Sequence, residues 1–254
     1  STNTDPRNLV TGSRNVVIDQ QRKVRSRNGN TRLGAANTAT TGNRGGTTWN
    51  TSTSDEFVLR GYDDELETWL GTVDGVDIDA HIRIANGFST TAKPRFTTWY
   101  DNTEGIDLLI FVWGDDNTYE WGGGVAVVAS ITGTTITKAG TDTFAQSRFY
   151  TTRNKIVVCV RTGTEYTYTG GETSLTLTGI ADTTGLVAGD VLVQKIVTQA
   201  NSPAADRNNH TVYTFENQLC VASNDDEQVY VSKNTSYFDF TFSSPRTPGQ
   251  GVLM

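Results

Sequence analysis

Short apolar runs alternate with acidic or glycine-rich turns along this chain, and one arrangement recurs: an apolar run, a turn, then a second run carrying aromatics. It reads FVLRGYDDELETWLG at 57–71, LLIFVWGDDNTYEWGG at 108–123, IVVCVRTGTEYTYTGG at 156–171 and LCVASNDDEQVYVSKN at 219–234. β-Branched and aromatic residues fill the runs, and Gly, Asp and Asn hold the turns, where positive φ or local side-chain bonding is needed; each copy therefore predicts a β-hairpin. Asp115-Asp116 follows Asp63-Asp64 by 52 residues, and later copies begin 48 (Leu108 to Ile156) and 63 (Ile156 to Leu219) residues on. Such intervals approach the length of one four-stranded blade. The expectation is an all-β fold, a β-propeller-like array of antiparallel hairpin blades stacked on one another.

Between the copies the pattern predicts further strands. Val73, Val76, Ile78, Ala80, Ile82 and Ile84 run with a period of two, as in a half-buried strand, and Val125–Ile131 with Thr134–Thr137 around Gly133 reads as another hairpin. Residues 1–50 are rich in Asn, Thr, Arg and Gly, with apolar islands at Leu9-Val10, Val16–Ile18 and Leu33, and predict an extended arm plus a first hairpin turning at Gly29. The remainder, 51–254, is read as the propeller-like domain. Residues 174–198 form a small β insertion within it, and Asn201–Asn209, with Pro203 and no apolar alternation, the loop that returns. No stretch shows a helical apolar period. Four or five blade-sized units are few for a closed ring, so the chain is expected to be part of a longer polypeptide or to be closed by a partner chain.

Charge divides the chain unevenly. Of its 254 residues, with a net charge of −7, residues 1–50 hold eight Arg or Lys against Asp5 and Asp19, a balance of +6 that leaves −13 on the rest. A basic arm on an acidic body points to docking against something acidic, a neighbouring copy or nucleic acid. Cys159 and Cys220 lie singly in apolar runs, which predicts buried free thiols and synthesis in a reducing cytoplasm. No secretory signal is visible, and the longest apolar runs fall far short of the ~20 residues of a membrane helix, so no membrane partner is expected.

Candidate chemistry is sparse. His81 and His210 stand without HExxH or GxSxG context. The carboxylates Asp63-Asp64, Asp115-Asp116 and Asp225-Asp226-Glu227 sit at the repeat turns, where they are read as caps on backbone N–H groups rather than as a glycosidase pair. Asp77 and Asp79 lack the spacing of a calcium loop. Trp69, Trp99, Trp113, Trp121 and Tyr119 suit the space between blades better than a sugar or base platform. Gly122–Gly124 lack the lysine of a phosphate-binding loop. The reading therefore assigns no catalytic, cofactor-binding or metal-binding residue, no cofactor and no enzymatic activity.

Three segments carry a resemblance: NLVTGSRNVVIDQQRKVRSRNGNTRLGAAN (8–37), FAQSRFYTTRNKIVVCVRTGTEYTYTGG (144–171) and FENQLCVASNDDEQVYVSKNTSYFDFTFSSPR (215–246). They resemble the β-propeller tail proteins of tailed bacteriophages, including the nozzle or tail tube B proteins of short-tailed phages, also called stabilisation proteins. The resemblance implies a structural virion protein of the phage tail, made in the host cytoplasm and assembled with itself as a ring, a hexamer, next to adaptor and fibre proteins. DNA would pass through its channel without sequence-specific binding, and acidic channel walls would keep phosphates from sticking. Two alternatives stand beside it: a receptor- or glycan-binding propeller using exposed tryptophans such as Trp121, and a glycoside hydrolase built on the acidic turns.

Overall fold

The computed structural model describes residues 42–114, 117–199, 209–215, 218–223 and 229–232, with the short strands β1 (Val16–Ile18) and β2 (Val24–Ser26). The fold is all-β, as the apolar pattern predicts, without a helix among the described residues, and one sheet curls into a half-barrel. Compactness divides the chain into residues 1–35 and 36–254. In the first unit β1 and β2 form an antiparallel ladder, Val16 opposite Ser26 and Ile18 opposite Val24. The turn expected at Gly29 lies outside the described residues.

The second unit opens with a four-stranded antiparallel meander of β3 (Asn43–Asn50), β4 (Glu56–Tyr62), β5 (Glu65–Val73) and β6 (Val76–Ala85). Period-two alternation gives it an inner face of Trp49, Phe57, Leu59, Leu66, Leu70, Ile82 and Ile84. The sheet thus begins at Asn43, inside the segment expected to be arm, because Trp49 is part of the core. A second sheet contains β7 (Arg95–Asp101), β8 (Ile106–Val112), β9 (Tyr119–Trp121) and, on its edge, β16 (Val197–Thr198). A third is the meander β17 (Asn209–Phe215), β18 (Gln218–Ser223) and β19 (Val229–Val231).

β8 decides how these sheets meet. Its run Leu108–Val112 is completely buried, and the two faces of the strand go to different cores. Leu109 and Phe111, followed by Trp113, join the inner face of the first sheet. Leu108, Ile110 and Val112 join Val212, Leu219, Val221 and Tyr230 of the third sheet. An unbroken apolar run is what a strand covered on both sides requires. Three of the four recurring hairpins, β4–β5, β8–β9 and β18–β19, therefore lie in successive sheets of one stack.

The fourth hairpin, 156–171, belongs elsewhere. Between β9 and β16 the chain builds a six-stranded sheet of β10 (Val125–Thr132), β11 (Thr135–Lys138), β12 (Ile156–Cys159), β13 (Glu165–Thr167), β14 (Thr176–Leu177) and β15 (Val191–Gln194). Its spatial order is β13-β12-β15-β10-β11-β14, and its core of Phe144, Phe149, Tyr166, Tyr168, Leu177 and Leu192 is separate from the other two. The segment 174–198, expected as a small insertion by itself, supplies β14 and β15 to this larger sheet. The equivalence of all four hairpins fails because β12 pairs with β15 as well as β13, an arrangement fixed by long-range partners that hairpin pattern does not encode.

The junction between the stack and the inserted sheet is Gly122–Gly124. A Cβ on Gly122 would lie 2.9 Å from the Tyr150 ring, one on Gly124 2.9 Å from Gln194 Cβ, and Gly123 has φ +87° with Phe57 and Arg148 against it. The three glycines thus mark a close crossing of backbones. Gly123→Ala combines a disfavoured backbone with overpacking and is expected to cost about 1–3 kcal/mol. Gly71→Ala, in open space on β5, is expected to change stability by less than about 0.5 kcal/mol. Urea denaturation of both variants checks the contrast.

Candidate functional site

The aromatics that could have formed a binding platform are mostly core. Trp113 stacks on Phe88 at 5.0 Å or less between ring centroids (4.8 Å), and Trp121 packs between Trp49 and Phe57 at 5.9 and 5.3 Å. Both indoles are fully buried, so Trp121 is no contact residue for a glycan. Trp99 is partly buried against the third core, while Trp69 lies half-buried on the outer face of the first sheet, edge-on to His81. Asp64 is a backbone cap: its Oδ2 accepts the Gly87 N–H at 3.2 Å and its carbonyl accepts that of Phe88. Asp77 and Asp79 are exposed, and the described residues contain no group of three potential metal ligands. Asp115-Asp116, Asp225-Asp226-Glu227 and the His210 side chain lie outside the described residues.

The densest polar cluster lies where the segment 143–154 crosses the end of the stack. Thr143 and Gln146 exchange side-chain and backbone hydrogen bonds, which turns the chain so that Phe144 and Phe149 meet edge-to-face at 5.0 Å in the inserted core. Arg148, at φ 68°, is thereby aimed into the stack. Its Nε donates to the Gly122 carbonyl (2.7 Å), Nη1 to Thr53 Oγ1 (3.1 Å) and Nη2 to the Asp107 carbonyl (2.5 Å), while its guanidinium lies 5.2 Å over the Trp49 ring. Burial pulls its pKa below the ordinary arginine value, against the opposing pull of Asp55 and Asp107. One side chain so joins the β3–β4 turn, the start of β8 and the glycine junction.

Three to five residues after Arg148, Glu104 of the β7–β8 turn receives the same segment. Its carboxylate accepts the Thr151 N–H (2.7 Å) and hydroxyl (3.0 Å), the Thr152 N–H (3.2 Å) and hydroxyl (2.5 Å), and the Arg153 N–H (3.2 Å). Arg153 also pairs with the buried Asp101 and faces Glu120 at 3.6 Å. Burial raises the Glu104 pKa, but the bonds from Thr152 and Thr151 outweigh it and hold the carboxyl below its ordinary value. A general acid needs the reverse, a raised pKa and access to substrate. Glu104 has a side chain only 1% exposed, and its oxygens are occupied; it clamps backbone. A third tie joins the β5–β6 turn to the inserted sheet, where Asp74 accepts the Val127 N–H (2.9 Å) and the ammonium of the buried Lys138 (2.5 Å).

Cys159 and Cys220 are buried free thiols, and burial pushes the Cys220 thiol up. None of the clamp residues stood out by motif. Glu104 sits in an ordinary turn, DNTEG, and Arg148 and Arg153 lie in a mixed stretch, FAQSRFYTTRN, without a strand or helix period.

Because the Glu104 pKa is depressed on folding, its stabilisation is complete above the unfolded value near ~4.3 and is lost as pH falls through the folded value. The melting temperature of the wild type should therefore fall faster below about pH 4.3 than that of Glu104→Gln, which should be less stable at pH 7. Thermal melts across pH 2.5–7, on the order of ten points, read the difference. Alkylation adds a second check: both cysteines should react with iodoacetamide only on unfolding, whereas prompt labelling of the native protein would place them at the surface.

Comparison with protein-family models, curated proteins and solved structures finds no match.

Proposed function

We propose that this chain is a structural protein, a ring-forming component of a bacteriophage tail built on a propeller-like array of sheets. The observation that carries the reading is the burial of the second sheet on both faces, β8 between the first and third cores. Consecutive blades of a radial array pack in this manner. The polar clusters support the same reading from another side, since Arg148, Glu104, Arg153 and Asp74 are spent on holding segments of the chain together. An acidic balance suits a conduit for DNA: residues 42–121 hold fifteen Asp and Glu against five Arg and Lys. In this role the ring, a hexamer by resemblance, adjoins adaptor and fibre proteins, and DNA passes without being read.

The test is the assembly state of the full chain by native mass spectrometry, followed by electron microscopy of the particles. A closed ring of identical copies with an open channel is the expected result. A protein that stays monomeric up to about 100 μM, well above ordinary dissociation constants for stable interfaces, would sink the reading, as would turnover of a glycoside.

A further inference from the structure

Asn86 and Gly87 join the end of β6 to Phe88, and the fold sets them against the β4–β5 turn. Leu66 stands opposite Ala85 at the end of the β5–β6 ladder, so the chain leaving β6 passes beside Asp64. Phe88 is anchored on the far side: its ring stacks on Trp113 at 4.8 Å with the planes 4° apart, and its N–H bonds the Asp64 carbonyl at 3.1 Å. Between these anchors Asn86 and Gly87 are exposed. The Asn86 amide has no hydrogen-bond partner among the described residues, whereas Asn43 holds the Gly45 N–H and Asn154 the Lys195 carbonyl. Gly87 has φ +90° and open space where a Cβ would stand. Its N–H donates to Asp64 Oδ2 at 3.2 Å.

We propose that Asn86-Gly87 is a site of self-modification, at which the Gly87 nitrogen attacks the side-chain amide of Asn86 and Asp64 serves as the base. An amide nitrogen becomes a nucleophile only as it gives up its proton, and the Asp64 carboxylate lies on that proton, within the reach a general base needs. As the proton passes to Asp64, a bond forms from Gly87 N to Asn86 Cγ. The Cγ–Nδ2 bond then breaks, and Asp64 returns the proton to the nitrogen, which leaves as ammonia. The product is a five-membered succinimide, and solvent water opens it. Attack at Cγ gives aspartate; attack at the original backbone carbonyl gives isoaspartate. The other exposed asparagines in strands or turns of the stack, Asn50 and Asn102, are followed by Thr51 and Thr103, whose branched side chains obstruct the same approach. Isoaspartate adds a carbon to the main chain between Ala85 and Phe88 and leaves a carboxylate beside Asp64. The change therefore pulls on the contact of Phe88 with Trp113, where the first two sheets meet, and marks aged molecules irreversibly.

The test is a time course of the full chain at neutral pH, read by peptide mapping with mass spectrometry and by isoaspartyl methyltransferase labelling. Asn28-Gly29, the other Asn-Gly pair in the sequence, is the internal reference. In the native wild type Asn86 should convert, with isoaspartate among the products. Asp64→Asn keeps an oxygen to accept the Gly87 N–H but cannot take its proton, and should slow conversion at Asn86 on the order of 10-fold, less than a base supplies in a closed site because water competes here. Conversion at Asn28 should be unchanged. Should Asp64→Asn melt like an unfolded chain, Asp64→Ser, which also keeps an acceptor, takes its place. Asn86 that stays intact in the native chain for the time the urea-unfolded chain needs to convert there overturns the inference. Equal or faster conversion at Asn86 in the folded variant, or equal slowing at both pairs, overturns it as well.

Discussion

The sheets of the stack are organised by one strand whose last five residues have no surface. β8 places Leu109 and Phe111 in one core and Leu108, Ile110 and Val112 in another, so the burial of a single five-residue run fixes the positions of two neighbouring sheets. Each large aliphatic or aromatic side chain removed from water contributes about 1.5–3 kcal/mol, and a strand buried on both faces collects that contribution at every position. The cost is that such a strand tolerates no polar residue, and LLIFV contains none.

The inserted sheet is attached in two ways. One face of it closes its own core, Val125 and Val193 on the other join the core of the first sheet, and a set of hydrogen-bonded charges at the turns adds to that contact: Arg148 to three elements, Glu104 to three consecutive residues, Asp74 to Lys138 and Val127. Directional bonds hold orientation where apolar contact would permit sliding, and the glycines at 122–124 let the backbones come close enough for those bonds to form. Buried charges are expensive unless fully bonded, which accounts for the number of donors gathered on Glu104.

The sequence was legible where structure is local. Hairpins at 57–71, 108–123 and 219–234 were visible from alternation and turn residues, as was the β10–β11 hairpin around Gly133. The extent of the insertion was not, because β9 is three residues long and its partner β16 two, too short for any period to register. The hairpin at 156–171 looked like its fellows for the same reason: a hairpin pattern encodes two strands and says nothing of the third that β12 finds in β15. Tryptophans at 113 and 121 fill space between sheets, as aromatics in strand runs are expected to. The clamp at Glu104 escaped notice because a carboxylate that bonds backbone needs no particular sequence around its donors.

The place of the inserted sheet sets an order of events during synthesis. Glu120 emerges long before its partner Val197, so the second sheet waits with an open edge until the intervening domain has been made. Closing a loop that has already folded costs less entropy than closing the same length of free coil, since its ends are held near one another. Early folding of the inserted sheet would deliver β16 to the edge of β9, and only then would the third sheet, still later in the chain, find both halves of its bed in place. A protein put together in this sequence would leave one apolar face of β8 uncovered until the third sheet is made, the kind of exposure that chaperones shield.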